Sequence, residues 1–433
     1  MTAFTNNLAA LVMTLVSDDL HLQDYLDLLE KQIQEREPSV KAFMTEQDRF
    51  ARLREDARAL IDRYPNPDIR PPLFGVPVGV KDIFNVDGFE TFAGSKLPAM
   101  EFEGPEAESV TRLKEAGALI LGKTVTTEFA YFAPGPTSNP HNPNHTPGGS
   151  SSGSAAAVGA EMCALTLGTQ TIGSINRPAA FCGVVGFKPS YERVSRVGVV
   201  PVSGSLDHVG FFTKDAESAK LAASILISDW NFIAPDSQPI LGVPDGPYLE
   251  RVSPEGLRNF EETCERLAES GLQILRLDLM PDFNEIAERH QLIMAAEVAQ
   301  VHSDWFTRYE SLYHEKTSAL IRQGMAVSEQ DLRIALPGRK KLRQELMSAM
   351  AEEGVDLWIA PAALGTAPRG LDSTGDPIMN LPWTHSGLPA VSLPSGRNEI
   401  GLPFGLQVVG KWHDDESVLA WAYEIEKVLG FGD

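Results

Sequence analysis

The chain has 433 residues, 43% of them hydrophobic, so it is long enough to bury a large core. Its formal net charge of −22 at pH 7 disfavours nucleic acid as a partner, because the phosphates would repel an acidic protein. The three cysteines include no closely spaced pair, so neither a disulfide framework nor a zinc site is expected.

The N-terminal part of the chain is predicted to be helical. An apolar run at residues 8–16 lacks basic flanks and is too short to span a bilayer. We therefore expect a soluble, cytoplasmic protein with no membrane partner. Apolar residues at helical spacing predict helices within residues 18–64, and a proline-rich break follows at 65–72.

Strands and helices alternate through the rest of the chain, which is typical of an α/β layered sheet. Short apolar runs predict strands at residues 73–80, 118–121, 164–167, 241–244, 273–277, 357–361, 389–393 and 404–409. Other segments predict helices at residues 108–116, 155–160, 254–270, 284–350 and 416–429. No linker stands out, so we predict one domain over residues 1–433, with a helical N-terminal layer (1–70) and a helical insertion (284–350).

Two short patterns resemble a phosphate-binding site and a metal-binding site. In each case the neighbouring residues favour a structural role instead. Residues 117–124 match a phosphate-binding loop, but the intervening Ala-Leu-Ile-Leu favours a strand, so Lys123 is expected to be structural. His141 and His145 have a spacing that could suit a metal. Three nearby prolines prevent the helix that would align them, and we expect a loop there.

The stretch at residues 147–189 holds the most informative pattern. A Gly/Ser-rich loop at 148–154 and a small-residue turn at 168–174 bring many hydroxyls and backbone N–H groups together. This composition favours a serine hydrolase without a histidine, because a serine nucleophile needs a base and N–H donors for the oxyanion. Lys81 could be that base if burial keeps it neutral. Taken alone, Lys81 fits an ion-pair lysine beside Asp82 better than a catalytic base.

The chain resembles the amidase signature family at these and other motifs. They are GVPVGVKD, GALILGKT, GGSSSGS, GTQTIGS, RPAAFCGVVGFKP and GLPFGLQ. The resemblance runs from about Leu73 to the C-terminus and is weakest between about 230 and 350. It implies a layered α/β/α fold with a central mixed β-sheet flanked by helices, a catalytic signature region at 73–230, and no metal or organic cofactor.

The family pattern assigns three catalytic residues. Ser174 corresponds to the nucleophile, Ser150 to the serine that relays the proton, and Lys81 to the base. The details lie nearest to small amidases of the malonamidase type, which share the triple serine and an arginine three residues after the nucleophile. Arg177 stands there and could anchor a substrate carboxylate through its planar fork. Alternatively, Arg177 could pair structurally with a carboxylate such as Asp207.

The resemblance also implies an oxyanion hole formed by the backbone N–H groups of Thr171, Ile172 and Gly173. The family usually has glycine where this chain has Ile172. A β-branched residue would be strained there if the position required a positive φ. We expect Ile172 to have an ordinary backbone conformation and Gln170 to brace the loop.

The resemblance implies an amidase that cleaves a small linear amide to a carboxylate and ammonia through a Ser174 acyl-enzyme. The expected partner is a small-molecule amide substrate, and a homodimer is compatible with the resemblance. One alternative is the glutaminase subunit of a tRNA-dependent amidotransferase, although the SINRPAA order departs from the SIRQPA pattern of such subunits. The other alternative is a non-catalytic ligand-binding protein in which Ile172 has spoiled the oxyanion hole.

Overall fold

The computed structural model describes residues 7–235 and 237–430. Within them, ten strands form one sheet. The strands are β1 (Pro77–Lys81), β2 (Leu119–Thr124), β3 (Leu165–Gln170), β4 (Val185–Lys188), β5 (His208–Thr213), β6 (Leu241–Asp245), β7 (Ile274–Asp278), β8 (Leu357–Pro361), β9 (Ala390–Arg397) and β10 (Pro403–Val409). Their order across the sheet is β2-β1-β3-β5-β4-β9-β10-β8-β6-β7.

The sheet is mixed, as predicted. β1 pairs in parallel with β2 and β3, and β6 pairs in parallel with β7 and β8. The strands between these two groups pair antiparallel. Every residue of β1, β2, β3 and β8 is buried, which explains why these strands read as continuous apolar or small-residue runs.

Helices flank the sheet. They are α1 (Leu8–Ser17), α2 (Leu22–Val40), α3 (Arg49–Arg63), α4 (Glu108–Glu115), α5 (Ser152–Gly159), α6 (Asn176–Cys182), α7 (Ala216–Leu226), α8 (Pro254–Glu269), α9 (Phe283–Val301), α10 (Ser303–Tyr309), α11 (Glu315–Met325), α12 (Glu329–Ala335), α13 (Pro337–Glu353), α14 (Leu381–Ser386) and α15 (Asp415–Leu429). The predicted helical stretch at 284–350 is therefore α9 to α13.

α8 illustrates how local sequence sets a helix and its buried face. The Ser253 hydroxyl caps the first turn by accepting from the Gly256 N–H, and Pro254 occupies the first helical position. Phe260, Cys264 and Leu267 then recur at helical spacing and are buried. The prediction at 254–270 is confirmed to within one residue.

One hydrophobic cluster extends from Leu8 in α1 to Leu429 in α15. The apolar run at 8–16 forms most of α1, whose Leu8, Leu11 and Leu15 are buried at helical spacing. Among the helices of the described residues, none has the length and apolar character needed to cross a membrane.

The first strand starts later than predicted. Residues 73–76 turn instead, because the Phe74 N–H bonds to the Pro71 carbonyl and Gly75 has a φ of +73°. β1 and β3 then run in parallel, with Val80 opposite Leu167. Their carboxyl ends therefore lie at the same edge of the sheet, where loops after parallel strands commonly build sites.

Candidate active site

Lys81 is the last residue of β1, and its ammonium group is surrounded by hydroxyls. Nζ donates to Ser150 Oγ at 2.8 Å, to Ser151 Oγ at 3.0 Å and to Thr169 Oγ1 at 2.8 Å. The side chain is fully buried, and burial lowers its pKa well below the ordinary lysine value, opposed by the Asp207 charge. Burial, rather than these donated hydrogen bonds, favours the neutral amine that a base requires.

The ion-pair alternative for Lys81 is wrong, because Asp82 has another partner. Asp82 lies 2.8 Å from Lys123 Nζ, and both side chains are buried. Residues 119–124 form the strand β2, so Lys123 does not belong to a phosphate-binding loop. The prediction that Lys123 is structural is confirmed.

The Gly/Ser loop carries Ser150 over the end of β3. The Gly149–Ser150 peptide bond is cis. Ser151 Oγ contacts the backbone of Thr169, donating to its carbonyl at 3.2 Å and accepting from its N–H at 3.3 Å. Ser151 thus holds the loop, and it also contacts Lys81, which the sequence did not indicate.

Ser174 lies in the turn between β3 and α6, with 8% of its surface exposed. Gln170 braces this turn, as predicted: Oε1 accepts from the N–H groups of Ile175 at 2.7 Å and Asn176 at 3.0 Å. Across the described ranges, the Ser174 hydroxyl makes no hydrogen bond. The structure therefore shows the Lys81–Ser150 contact but no bond between Ser150 and Ser174.

The three proposed oxyanion donors precede Ser174. Ile172 is not among the residues with positive φ, so the isoleucine is accommodated without backbone strain. Its carbonyl accepts from Thr384 Oγ1 at 2.5 Å. Gly173 packs closely on Asn380, since a Cβ at this glycine would lie 2.3 Å from Oδ1. In the part of the chain that the structure describes, the N–H groups of Thr171, Ile172 and Gly173 donate no hydrogen bond.

Arg177 is buried, and no carboxylate among the described residues forms an ion pair with it. Nη2 donates to the Gly149 carbonyl at 2.5 Å and to Thr374 Oγ1 at 3.1 Å. Nε and Nη1 have no partner within the described residues. Burial lowers the pKa of Arg177 to about 9, against the effect of Asp376. A buried guanidinium with free donors is suited to binding an anion.

Asp207 does not pair with Arg177, so that alternative is wrong. Its Oδ1 accepts from Thr171 Oγ1 at 2.6 Å, and Oδ2 accepts from the N–H groups of Val202 at 2.8 Å and Ser203 at 3.0 Å. Asp207 therefore ties the 202–203 loop to the oxyanion segment.

A narrow pocket joins Ser174 to Arg177. Its walls also include Thr171, Ile172, Val202 and other residues, namely Ala130, Tyr131, Phe132, Met294 and Pro377. The centre of the Phe132 ring lies 5.9 Å from the guanidinium carbon of Arg177. A substrate held here would have its reacting carbonyl near Ser174 and another group near Arg177.

The two histidines of the HNPNH segment lie in a loop, as predicted. His141 Nε2 donates to the Cys182 carbonyl at 2.8 Å, and His145 Nδ1 donates to the Ala367 carbonyl at 2.8 Å. Both rings are used to fix the loop to neighbouring backbone.

Known structures share this architecture. The crystal structure of an amidase superposes with a TM-score of 0.89 at 32% identity, covering 98% of this chain and all of the other. Peptide amidase from Stenotrophomonas maltophilia superposes with a TM-score of 0.83, covering 98% of each chain; at 24% identity this shows the fold alone. The fold is thus that of amide hydrolases.

The chain belongs to the amidase family, whose model, described as Amidase, matches residues 24–419. It is a hydrolase that acts on amide C–N bonds. It is also 33% identical to the A subunit of glutamyl-tRNA(Gln) amidotransferase from Synechococcus sp. (strain WH7803), over 90% of each chain. Family membership favours the enzyme over the non-catalytic binding protein.

Proposed function

We propose that the protein hydrolyses a small linear amide to a carboxylate and ammonia through an acyl-enzyme on Ser174. The observation that carries this proposal is the contact between buried Lys81 and Ser150, together with the position of Ser174 in the wall of a pocket. A neutral lysine in a hydroxyl cluster can accept the proton that a serine nucleophile must lose.

The proton path runs through Ser150. Ser174 Oγ attacks the amide carbonyl while its proton passes to Ser150 and the Ser150 proton passes to Lys81 Nζ. This step requires Ser174 Oγ to rotate toward Ser150 when substrate binds, because the unliganded geometry contains no such bond. Catalytic hydrogen bonds often tighten only in the substrate complex.

The tetrahedral intermediate then collapses. The N–H groups of Thr171, Ile172 and Gly173 stabilise its oxyanion, and losing one such donor typically costs about 100- to 1000-fold in rate. The proton held at Lys81 returns through Ser150 to the amide nitrogen, the C–N bond breaks and ammonia leaves. Water repeats the sequence on the ester and releases the acid.

The surroundings of Arg177 favour a substrate that carries its own carboxylate. Two of its nitrogens are unpartnered among the described residues, and it shares the narrow pocket with Ser174. A carboxylate bound there would offset the desolvation of the guanidinium. Short amides of dicarboxylic acids, such as malonamate, fit this arrangement chemically.

Ammonia release tests the proposal. We expect the purified protein to hydrolyse malonamate faster than acetamide, and Ser174→Ala to abolish both activities. Ser152→Ala is the matched control, because Ser152 lies in the same loop but donates to the Val125 carbonyl rather than contacting Lys81. Activity that survives in Ser174→Ala, or is lost equally in Ser152→Ala, would contradict the assignment.

A second candidate is the glutaminase subunit of a tRNA-dependent amidotransferase. Its support is the identity of 30–33% to amidotransferase A subunits over most of the chain. Glutamine also carries a carboxylate that Arg177 could bind. A strong preference for glutamine, together with activity that depends on a copurifying partner, would favour this candidate over the stand-alone amidase.

A further inference from the structure

A second cavity, of about 430 Å³, lies beside the catalytic loops. Aliphatic side chains supply much of its wall, including Ile83, Val199, Val200 and Val202. Ligand sites are typically concave and mostly apolar, with few polar groups. The composition of this wall suits a small apolar group rather than a charged one.

The cavity adjoins the proposed proton path. Thr169 lines it, and Thr169 Oγ1 accepts a hydrogen bond from Lys81 Nζ at 2.8 Å. Val202 lines both this cavity and the narrow pocket that contains Ser174 and Arg177. The two cavities therefore meet at Val202. A substrate whose reacting carbonyl lies at Ser174 could extend into both of them.

The polar groups of the cavity limit what it can bind. Both carboxylate oxygens of Asp207 already accept hydrogen bonds from protein groups. His208 Nδ1 donates to the Leu206 carbonyl at 2.7 Å, and its Nε2 is buried rather than open to the cavity. Arg196 also lines the cavity, and its guanidinium is engaged by Glu192 and by the Gly204 carbonyl. The remaining wall is largely aliphatic and suits a neutral, apolar group.

We propose that this cavity binds the apolar substituent of a secondary amide, so that the enzyme releases small alkyl or aryl amines as well as ammonia. The inference rests on the proposed function and extends its substrate class. The acyl part would lie toward Arg177, and the substituent on nitrogen toward Thr169, because the leaving nitrogen must face the relay that protonates it.

The reaction balances in the same way as for a primary amide. Ser174 Oγ forms an ester bond to the acyl carbon, and the C–N bond breaks. The proton from Ser174, carried by Ser150 and Lys81, ends on the leaving nitrogen and gives a neutral amine. Water then cleaves the ester and regenerates the Ser174 hydroxyl.

The test combines turnover with direct binding. Val199→Trp places an indole at a half-buried position of the cavity wall, and Val327→Trp is the control because Val327 is also half-buried but lines neither cavity. We would measure kcat/KM for malonamate and N-phenylmalonamate, and the binding of aniline by calorimetry. Circular dichroism confirms that each variant is folded.

We expect wild type and Val327→Trp to bind aniline and to cleave both amides. Val199→Trp should lose aniline binding and lose roughly 10- to 100-fold in kcat/KM for the N-phenyl amide alone, the range that pocket packing contributes. No aniline binding by wild type, binding that persists in Val199→Trp, or an equal loss for both amides would overturn the inference. Failure to cleave malonamate, with aniline binding intact, would count against the proposed acyl group and leave the cavity assignment standing.

Discussion

At the scale of single residues, three hydroxyls contact the Lys81 amino group at the end of β1. Lys81 follows an apolar strand, and its burial is predictable from that context. Its contacts with Ser151 and Thr169 were not predicted, because they depend on the alignment of β1 with β3 and on the path of the Gly/Ser loop. The same limit applies to Arg177, whose partners are a carbonyl and a hydroxyl rather than Asp207.

The lowered pKa of Lys81 predicts the pH profile. Activity requires the neutral amine, so kcat/KM should fall as pH drops through a pKa well below the ordinary lysine value. Lys81→Arg, which stays protonated, should lose about 10⁴-fold or more at every pH. Lys123→Arg should leave the pH profile unchanged, because Lys123 pairs with Asp82 instead. A profile that Lys81→Arg leaves intact would exclude Lys81 as the base.

Replacement of Arg177 tests its role in substrate selection. Arg177→Met should lower kcat/KM for malonamate by about 10- to 100-fold more than for acetamide, the worth of one hydrogen bond to a charged group. Arg177→Lys should recover part of this loss, since it keeps the charge but not the fork. Equal losses for the two amides would instead indicate that Arg177 only supports the Gly149 carbonyl.

At the scale of elements, buried carboxyl groups join distant helices. Glu426 in α15 accepts a hydrogen bond from the Ala216 N–H at the start of α7 at 2.8 Å. Asp215 caps α7 through the Ser218 N–H and also accepts from Asn7, which caps α1. The helix α15 is predictable from its periodicity. Its carboxylate contacts are not, because they join residues far apart in sequence.

The buried carboxyl group of Glu426 should make the free energy of unfolding depend on pH. Burial raises its pKa from 4.5 to about 7, so the folded state binds more protons than the unfolded state between those values. The free energy of unfolding should therefore fall as pH rises from 4.5 to 7, by up to about 3 kcal/mol from this group. Denaturant unfolding of Glu426→Gln should lack this component. An unchanged pH dependence in the variant would contradict the assignment.

At the scale of the whole molecule, strands with uninterrupted apolar runs were predicted well. The prediction for β8 matches the structure at both ends, because its burial on both faces leaves a clear pattern. β4 and β5 were not predicted as strands: β4 is four residues long, and β5 begins with His208, after a polar turn. The mixed order of the sheet depends on long-range pairing that local patterns do not encode.

Within the described residues the strands form one sheet, and one large hydrophobic cluster extends from α1 to α15. We therefore propose that the protein unfolds as one cooperative unit, which is what the predicted single domain would require. We expect far-ultraviolet circular dichroism and the fluorescence of buried Trp358 and Trp383 to report the same denaturant midpoint. Two separated midpoints would show that the sheet and a helical region unfold independently, against that prediction.

The central claim is that Ser174 is a nucleophile activated through Ser150 and Lys81. The most direct measurement is the intact mass of the protein after reaction with a fluorophosphonate probe, which requires no knowledge of the substrate. We expect a single adduct on wild type and Ser152→Ala, none on Ser174→Ala, and slow labelling of Lys81→Ala. Folded wild-type protein that forms no adduct, or an adduct that persists in Ser174→Ala, would exclude Ser174 as the activated nucleophile.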